Sequence, residues 1–203
     1  MTKEPRCLET ILDASKKKLL KGCISVIIGT EKTLEATAKK VKIPFITISE
    51  SNQEKAEEKI LEICKKYEID LIVLARYMKI LSPNFVWRYP NRIINIHPSL
   101  LPKYPGLNTH SKVVKNQDIF HGVTIHYVSS ELDAGPIIAQ GRIDVNTHAD
   151  IEELINRIHQ VEHVIYPKII NLICKNEIYM ENGNVNFKNN SHPRGYICNS
   201  YEI

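Results

Sequence analysis

Apolar and polar positions along the first half of the chain change from helical spacing to short apolar runs and back again. Apolar residues recurring every three to four positions predict amphipathic helices, and short continuous apolar runs predict buried strands. The predicted elements are a helix over 7–20, a strand over 23–28, a helix over 30–41, a strand over 43–48, a helix over 51–67 and a strand over 70–75. Strands that alternate with helices in this way predict a parallel sheet with helices on both faces.

The second half continues this alternation but adds two strands at hairpin-like spacing. Its predicted elements are a short helix ending near residue 89, a strand over 92–96, a helix over 109–116, strands over 121–128 and 137–145, and a long helix over 150–175. The closely spaced pair predicts an antiparallel edge. We therefore expect one Rossmann-like α/β domain over 1–203, with an open, mostly parallel sheet and an irregular Asn- and Gly-rich tail from about residue 180.

Composition narrows the class of protein without identifying it. The 203 residues are 43% hydrophobic and 25% charged, as in an ordinary globular protein. No apolar run is long enough to span a bilayer, and no signal peptide is evident, so we expect a cytoplasmic protein without a membrane partner. The five cysteines are scattered, which fits a reducing compartment. A net charge of +4 is too small to indicate nucleic acid, but it favours small anionic substrates.

The stretch around Asn95 and His97 is the first candidate for chemistry. An apolar strand ends here, because three prolines and a glycine follow between Pro98 and Gly106. Residues two apart on a strand project to the same face, so the amide and the imidazole lie side by side at a carboxyl end of the sheet. Such a pair can hold a carbonyl oxygen that becomes negative during acyl transfer. An ordinary strand end followed by a surface turn fits this stretch about equally well.

Asp133 is the second candidate, in a loop between two predicted strands. A carboxylate brought next to His97 would favour the imidazolium form, although Asp-x-Gly-Pro is also a common turn composition. His126 fits a hydrogen-bonded, semi-buried position, and His110 and His121 fit surface positions. These histidines lack a tight ligand pattern, so no metal site is predicted. The chain also lacks a GxGxxG motif and a P-loop, which disfavours dinucleotide and ATP binding.

The last long helix carries Glu162 between His159 and His163. Charged side chains on a helix usually face solvent, and that is the simplest interpretation of these three residues on their own.

Taken in order, these motifs resemble one enzyme family. Asn95-Ile-His97-Pro98-Ser-Leu-Leu-Pro-Lys-Tyr-Pro-Gly106, then His121-Gly122, then Leu132-Asp133-Ala-Gly-Pro136, is similar to the formyltransferases that use 10-formyltetrahydrofolate. The resemblance covers about 70–167 and reaches 193–196 in the tail. Within the family, the match is closest to the members that formylate glycinamide ribonucleotide in purine biosynthesis.

The resemblance implies a role for each matching residue. Asn95, His97 and Asp133 correspond to a catalytic trio, with the first two holding the oxyanion and the third orienting His97 and a water that carries the proton. The residues implied in folate binding are Met78, Lys79, Ile80, Leu81, Val128, Ser130 and Glu131. The residues implied in binding the ribonucleotide are Pro98, Gly106, His159 and Glu162. The implied co-substrate is 10-formyltetrahydrofolate, no metal is implied, and the protein would be a monomer or a homodimer.

The N-terminal part departs from the transferase pattern. The opening strand and the glycine-rich loop that binds the substrate phosphate do not precede the first helix, and Arg6 or Lys3 would have to replace that loop. We therefore expect a gap in the sheet, as a misplaced start codon or a truncated gene would leave. Residues 2–8 and 75–78 resemble instead the related formyltetrahydrofolate deformylases, although the regulatory domain that usually precedes those enzymes is not seen here.

Three alternatives therefore remain open beside formyl transfer to glycinamide ribonucleotide. The first is hydrolysis of 10-formyltetrahydrofolate with release of formate. The second is formyl transfer to another amine, such as an amino sugar, and the third is folate binding without catalysis.

Overall fold

A computed structural model describes residues 5–145 and 150–188. The helices are α1 Arg6–Lys16, α2 Glu35–Lys40, α3 Gln53–Lys66, α4 Pro83–Arg88, α5 Thr109–Lys115 and α6 Ile151–Cys174, with a 3₁₀ turn at Lys32–Leu34. The strands are β1 Ile27–Gly29, β2 Phe45–Thr47, β3 Ile72–Leu74, β4 Ile93–His97, β5 Phe120–Tyr127, β6 Ile137–Asp144, β7 Ile178–Glu181 and β8 Asn184–Phe187. Each element predicted over 7–175 is present, generally with narrower bounds.

The strands form a mixed α/β architecture, as expected. β1 pairs with β2 in parallel, and a separate four-stranded sheet has the order β3-β4-β5-β6. In that sheet β3 and β4 are parallel, and β5 and β6 follow in antiparallel pairing. The antiparallel part is larger than an edge, because β4 already pairs antiparallel with β5. Within the described residues no strand joins β1 to β3, so the expected gap in the sheet is observed.

The main core lies between α6 and the four-stranded sheet. Ile94 of β4, Ile125 of β5 and Ile158 and Ile165 of α6 are fully buried in one cluster. Each such side chain contributes roughly 1.5–3 kcal/mol through burial. The hydroxyl of Tyr166 donates to the carbonyl oxygen of Leu74 at 2.8 Å, which ties α6 to β3. This core fixes the strand ends from which the polar side chains project.

A second, smaller core holds β1 and β2. It consists of Leu8 and Leu12 of α1 with Ile27, Leu34 and Ala38. The adjacent positions Cys7 and Ile11 of α1 contribute to the main core. The amphipathic α1 therefore connects these two cores, since it supplies apolar side chains to both.

The prediction of an irregular tail from residue 180 was wrong for 180–187. β7 and β8 form an antiparallel hairpin, with Met180 opposite Val185. Its turn is Asn182-Gly183, with φ values of 50° and 80°. Asn-Gly between alternating apolar residues is a strong hairpin signal, and it outweighs the polar composition of this segment. The rest of the predicted tail, including 193–196, lies outside the described residues.

Across 5–145 and 150–188, no helix has both the length and the apolar character needed to cross a membrane.

Candidate active site

The end of β4 places Asn95 and His97 side by side, as predicted. Asn95 lies opposite Leu74 of β3 on one side and His126 of β5 on the other. His97 is 5% exposed, at the last position of the strand. Because β4 is held between two neighbours, the positions of these two side chains are set by the sheet and not by a mobile loop.

The turn after β4 is held by polar contacts from β5. The hydroxyl of Thr124 donates to the carbonyl oxygen of Ser99 at 2.6 Å, and it accepts from the backbone N–H of Leu101 at 3.0 Å. Ser99 in turn donates its hydroxyl to the carbonyl oxygen of Lys103 at 2.8 Å. Thr124 and Ser99 are fully buried. These bonds satisfy the backbone of a proline-rich segment that cannot join the sheet.

Asp133 reaches the same point from the loop between β5 and β6. One of its carboxylate oxygens, Oδ2, lies 3.3 Å from Nδ1 of His97 and accepts the backbone N–H of Gly106 at 2.8 Å. The loop can approach so closely because Gly135 has no side chain, and a Cβ there would lie 1.8 Å from the carbonyl oxygen of Tyr127. The three predicted catalytic residues therefore meet at one place.

Both ring nitrogens of His97 face acceptors. Nε2 lies 2.9 Å from the carbonyl oxygen of Tyr104, and Nδ1 faces the Asp133 carboxylate. Only the imidazolium form carries a proton on both nitrogens and satisfies both contacts. The Nδ1 contact of 3.3 Å is longer than a typical charge-assisted hydrogen bond.

His126 holds the amide of Asn95. Its Nδ1 donates to the carbonyl oxygen of Tyr127 at 2.9 Å, and its Nε2 lies 3.3 Å from Nδ2 of Asn95. Burial lowers the pKa of His126 below its usual value, so the ring is neutral and Nε2 accepts from the amide. One amide hydrogen of Asn95 is thereby fixed, and the other is free to donate to a substrate. The semi-buried position expected for His126 is in fact a fully buried one beside the trio.

A cleft of about 420 Å³ opens onto the trio. This volume is in the range of sites for drug-sized ligands. It is lined by nearly all of the residues predicted for substrate binding: Met78, Lys79, Ile80, Leu81, Pro98, Gly106, Val128, Glu131, His159 and Glu162. Ser130 is the exception, because it is exposed and the adjacent Ser129 lines the cleft in its place.

A buried carboxylate that the sequence analysis missed shapes one wall of the cleft. Glu57 of α3 is only 4% exposed. It accepts the backbone N–H of Ser82 at 3.0 Å and the side-chain amide of Gln53 at 2.9 Å. Gln53 also donates to the carbonyl oxygen of Ile80. Together these bonds fix the backbone of the loop after β3, whose Met78 and Ile80 side chains are exposed.

Glu162 and His159 lie on α6 in the same cleft. They are 7% and 9% exposed, so the interpretation of this helix face as solvent-exposed is wrong. Arg76, which follows β3, contacts Nε2 of His159 through its guanidinium group. Cys7, near the start of α1, lines the cleft beside them. Arg6 is not among the lining residues, and Lys3 lies outside the part of the chain that the structure describes.

His110 and His121 are also not surface residues. His121 is 1% exposed, and its Nε2 lies 2.9 Å from Nδ1 of His110, which lines the cleft. Burial lowers the pKa of each to about 4. Their burial follows from long-range packing, so no local sequence signal was available. Within the described ranges, no group of three or more His, Cys, Asp or Glu side chains is arranged to hold a metal ion.

Comparison with known proteins places this fold and cleft in one family. The family pattern described as Formyl transferase matches residues 1–170. The chain therefore belongs to the formyl transferase family, whose members are enzymes of one-carbon transfer.

The similar proteins fall into two groups. The chain is 36% identical to the phosphoribosylglycinamide formyltransferase of Escherichia coli, over 85% of this chain and 84% of that protein. It is also 36% identical to the formyltetrahydrofolate deformylase of Haemophilus influenzae, over 89% of this chain and 66% of that protein. Among solved structures, the phosphoribosylglycinamide formyltransferase of Coxiella burnetii superposes with a TM-score of 0.85 at 34% identity, covering 91% of this chain and 89% of that one.

Proposed function

We propose that this protein transfers the formyl group of 10-formyltetrahydrofolate to the amine of glycinamide ribonucleotide. The observation that carries the proposal is that two sets of lining residues share one cleft with the Asn95, His97 and Asp133 trio. The loops after β3 and β5 supply one set, and the start of α1 together with α5 and α6 supplies the other. A transferase needs room for a donor and an acceptor, whereas a hydrolase needs room for one substrate and water.

The reaction begins when the amine attacks the formyl carbon. The carbonyl oxygen becomes negative as the tetrahedral intermediate forms. The second amide hydrogen of Asn95 and the Nδ1 proton of His97 come from neighbouring positions on the same strand face, so both can donate to that oxygen. Because their geometry is set by β4 and by His126, little reorganisation is needed when the charge develops.

The reaction ends when the bond between the formyl carbon and N10 of the folate breaks. The attacking amine must lose a proton, and N10 must gain one. Asp133 is held by Gly106 and His97 at the edge of the cleft, so its carboxylate can accept the amine proton, directly or through an ordered water, and pass it to N10. The products are tetrahydrofolate and the formylated amine, and atoms and charge balance.

The folate is proposed to bind between the loops after β3 and β5. The exposed apolar side chains of Met78, Ile80 and Leu132 border this part of the cleft. A planar pteridine and a benzoyl ring present apolar faces that such side chains can cover, and backbone groups of the fixed loop can meet the ring nitrogens. On the other side of the cleft, the Glu162 carboxylate is proposed to accept hydrogen bonds from ribose hydroxyl groups.

Hydrolysis of 10-formyltetrahydrofolate is the second candidate. One transferase relative and one deformylase relative each share 36% identity with the chain, which covers 84% of the former and 66% of the latter. In addition, the sequence 75–78 resembles the deformylases. The same trio serves either reaction, since water in place of the amine gives formate.

One assay distinguishes formyl transfer from hydrolysis. The protein is incubated with 10-formyltetrahydrofolate, with and without glycinamide ribonucleotide, and release of tetrahydrofolate is followed spectrophotometrically. We expect release that depends on the ribonucleotide and yields one formylated product per folate. Equal release of tetrahydrofolate without the ribonucleotide would show that the protein is a hydrolase and not a transferase. Faster release with an amino sugar than with the ribonucleotide would show that the acceptor is a different amine.

A further inference from the structure

We propose that Glu57 of α3 is a positioning residue for the folate donor. Through Gln53 and Ser82 it fixes the donor loop, residues 77–81 after β3, in the shape that binds the folate. The identity of the ligand rests on the proposed function, whereas the bonds between Glu57 and the loop do not. Glu57 is not among the residues that line the cleft, so its effect on a ligand passes through the loop.

The donor loop has few bonds of its own. All five of its residues line the cleft, and within the described ranges none of them makes a backbone–backbone hydrogen bond. Its apolar anchor is the side chain of Leu81, which is 4% exposed and packs in a cluster with Phe85 and Ile93. Most backbone groups of the loop are therefore open to a ligand, but their positions depend on contacts from outside the loop.

Gln53 supplies the contact in the middle of the donor loop. Its Nε2 donates to the carbonyl oxygen of Ile80 and, at 2.9 Å, to Oε1 of Glu57. Both neighbours are acceptors, so the amino end of the amide faces them and both of its hydrogens are used. Gln53 lies one helical turn before Glu57 and is exposed, so without the carboxylate its side chain would be free to turn away from the loop.

Ser82 supplies the contact at the end of the donor loop. Oε1 of Glu57 accepts its backbone N–H at 3.0 Å, and Oε2 accepts its hydroxyl. The same hydroxyl accepts the backbone N–H of Phe85 at 3.2 Å and so caps α4. Three donors, two from Ser82 and one from Gln53, thus converge on one side chain. A carboxylate has two acceptor oxygens for them, whereas an amide has only one.

The surroundings of Glu57 indicate that it serves the loop and not the joining of helices. It is 4% exposed, and among the described residues no lysine or arginine forms an ion pair with it. A buried carboxylate is costly unless its oxygens are hydrogen-bonded. Ile60 and Leu61 of α3 already pack against Phe85 of α4 in an apolar cluster, so the two helices are joined without the carboxylate.

The test measures binding of tetrahydrofolate, the product, to the full chain by isothermal titration calorimetry in the absence of oxygen. The variants are Glu57→Gln, Gln53→Leu and Gln53→Lys. Gln53→Leu removes both donors at the first position of α3 and introduces a good helix former. Gln53→Lys restores donors, because an ammonium group carries three. Glu58→Gln, at the exposed next position of the same helix, is the control.

We expect Glu57→Gln and Gln53→Leu to weaken binding of tetrahydrofolate about tenfold, through loss of hydrogen bonds to a charged group. Wild type, Gln53→Lys and Glu58→Gln should bind within about threefold of one another. In the transfer assay, KM for 10-formyltetrahydrofolate should rise in the two weakened variants, while KM for the ribonucleotide and turnover at saturating folate change less than about twofold. Hydrogen exchange should be faster in 77–82 and unchanged in β4 and β5.

Equal binding of tetrahydrofolate by wild type, Glu57→Gln and Gln53→Leu would overturn the positioning role. An equal rise of KM for both substrates would also overturn it, because general loosening of the fold produces that result. If Glu57→Gln does not fold, the comparison of Gln53→Leu with Gln53→Lys decides, since these variants differ only at an exposed position.

The positioning role and the proposed function can fail separately. A protein in which Glu57→Gln weakens folate binding, but which releases formate without the ribonucleotide, would keep the positioning role and lose the transferase. A protein that formylates the ribonucleotide, with unchanged folate affinity in Glu57→Gln and Gln53→Leu, would keep the transferase and lose the positioning role.

Discussion

Two of the three sheets in the described residues, the four-stranded sheet and the pair β1-β2, differ in how much of the proposed chemistry depends on them. The four-stranded sheet carries Asn95 and His97 on β4, flanks Asp133 with β5 and β6, and is covered by α6. The two-stranded sheet of β1 and β2 carries no residue that lines the cleft, and it is joined to the main core through α1. The proposed chemistry therefore lies on the sheet with the larger core, and the pair β1-β2 packs against α1.

Folding and formyl-transfer activity usually change together, and the difference between these two sheets allows them to be changed separately. Damage to the four-stranded sheet should abolish both folding and formyl transfer. Damage to the small core should instead loosen α1, whose Cys7 lines the cleft, and leave the trio in place.

The largest effect is expected at the trio. Asp133→Asn and His97→Ala should each lower turnover by at least about a hundredfold, because each removes a positioned proton carrier or oxyanion donor. Initial rates under saturating folate measure the effect, and unchanged thermal unfolding shows that the fold is intact. Activity within a few-fold of wild type in either variant would contradict the catalytic assignment. Asp144→Asn, at the exposed end of β6 and not among the residues that line the cleft, is the matched control for loss of an aspartate charge.

The next effect concerns the small core. Leu34→Ala removes a side chain that is 3% exposed and should destabilise that core by about 2 kcal/mol or more, roughly thirtyfold in the local unfolding equilibrium. Hydrogen exchange followed by mass spectrometry should show faster exchange in β1 and β2 and unchanged exchange in β4 and β5. Ile94→Ala, in the main core, is the matched variant and should accelerate exchange everywhere. Uniform acceleration in Leu34→Ala would mean that the two cores unfold together.

A smaller effect is expected at Glu162, which belongs to the acceptor side of the cleft. Glu162→Gln should raise KM for the ribonucleotide by about tenfold, because a carboxylate is a stronger acceptor for hydroxyl groups than an amide oxygen. KM for 10-formyltetrahydrofolate should change little. Glu153→Gln, on an exposed position of the same helix, is the control. A rise in KM for the folate alone would place Glu162 on the donor side.

The smallest effect is a dependence of stability on pH. The pKa of His110 and of His121 is about 4 in the folded protein, below the usual 6.5, because both are buried. Between these values the unfolded chain binds more protons, so stability is fully present above about pH 6.5 and is lost as the pH falls toward 4. Urea unfolding at pH 7 and pH 5 measures the loss. His110→Gln should reduce it, and an identical loss in that variant would exclude this pair as its source.

The sequence predicted those parts of the molecule that depend on local pattern. Alternating helices and strands follow from hydrophobic spacing, and Asn95 and His97 share a face because they are two apart on a strand. The contact between Asp133 and His97 was not predictable from spacing, and only the resemblance to a family brought them together. The observed geometry agrees, with 3.3 Å between the carboxylate and the ring.

The parts that the sequence missed depend on pairing between distant segments. The burial of His121 is set by the register of β5 against β6, and Glu57 became a structural carboxylate only because Ser82 folds back onto α3. Neither has a local signal. The hairpin of β7 and β8 is different, since the Asn182-Gly183 turn is a local signal that outweighs the polar composition around it.

The close approach of Gly135 to β5 has a consequence for directed evolution of this enzyme. A library that varies residues around the cleft, under selection for a new acceptor amine, should return many side chains at exposed cleft positions and only glycine at position 135. Any larger residue there would push the Asp133 loop away from His97, since its Cβ would meet the Tyr127 carbonyl at 1.8 Å. The preferred acceptor amine can therefore change during selection, whereas the contact of Gly135 with the Tyr127 carbonyl must be kept for Asp133 to reach His97.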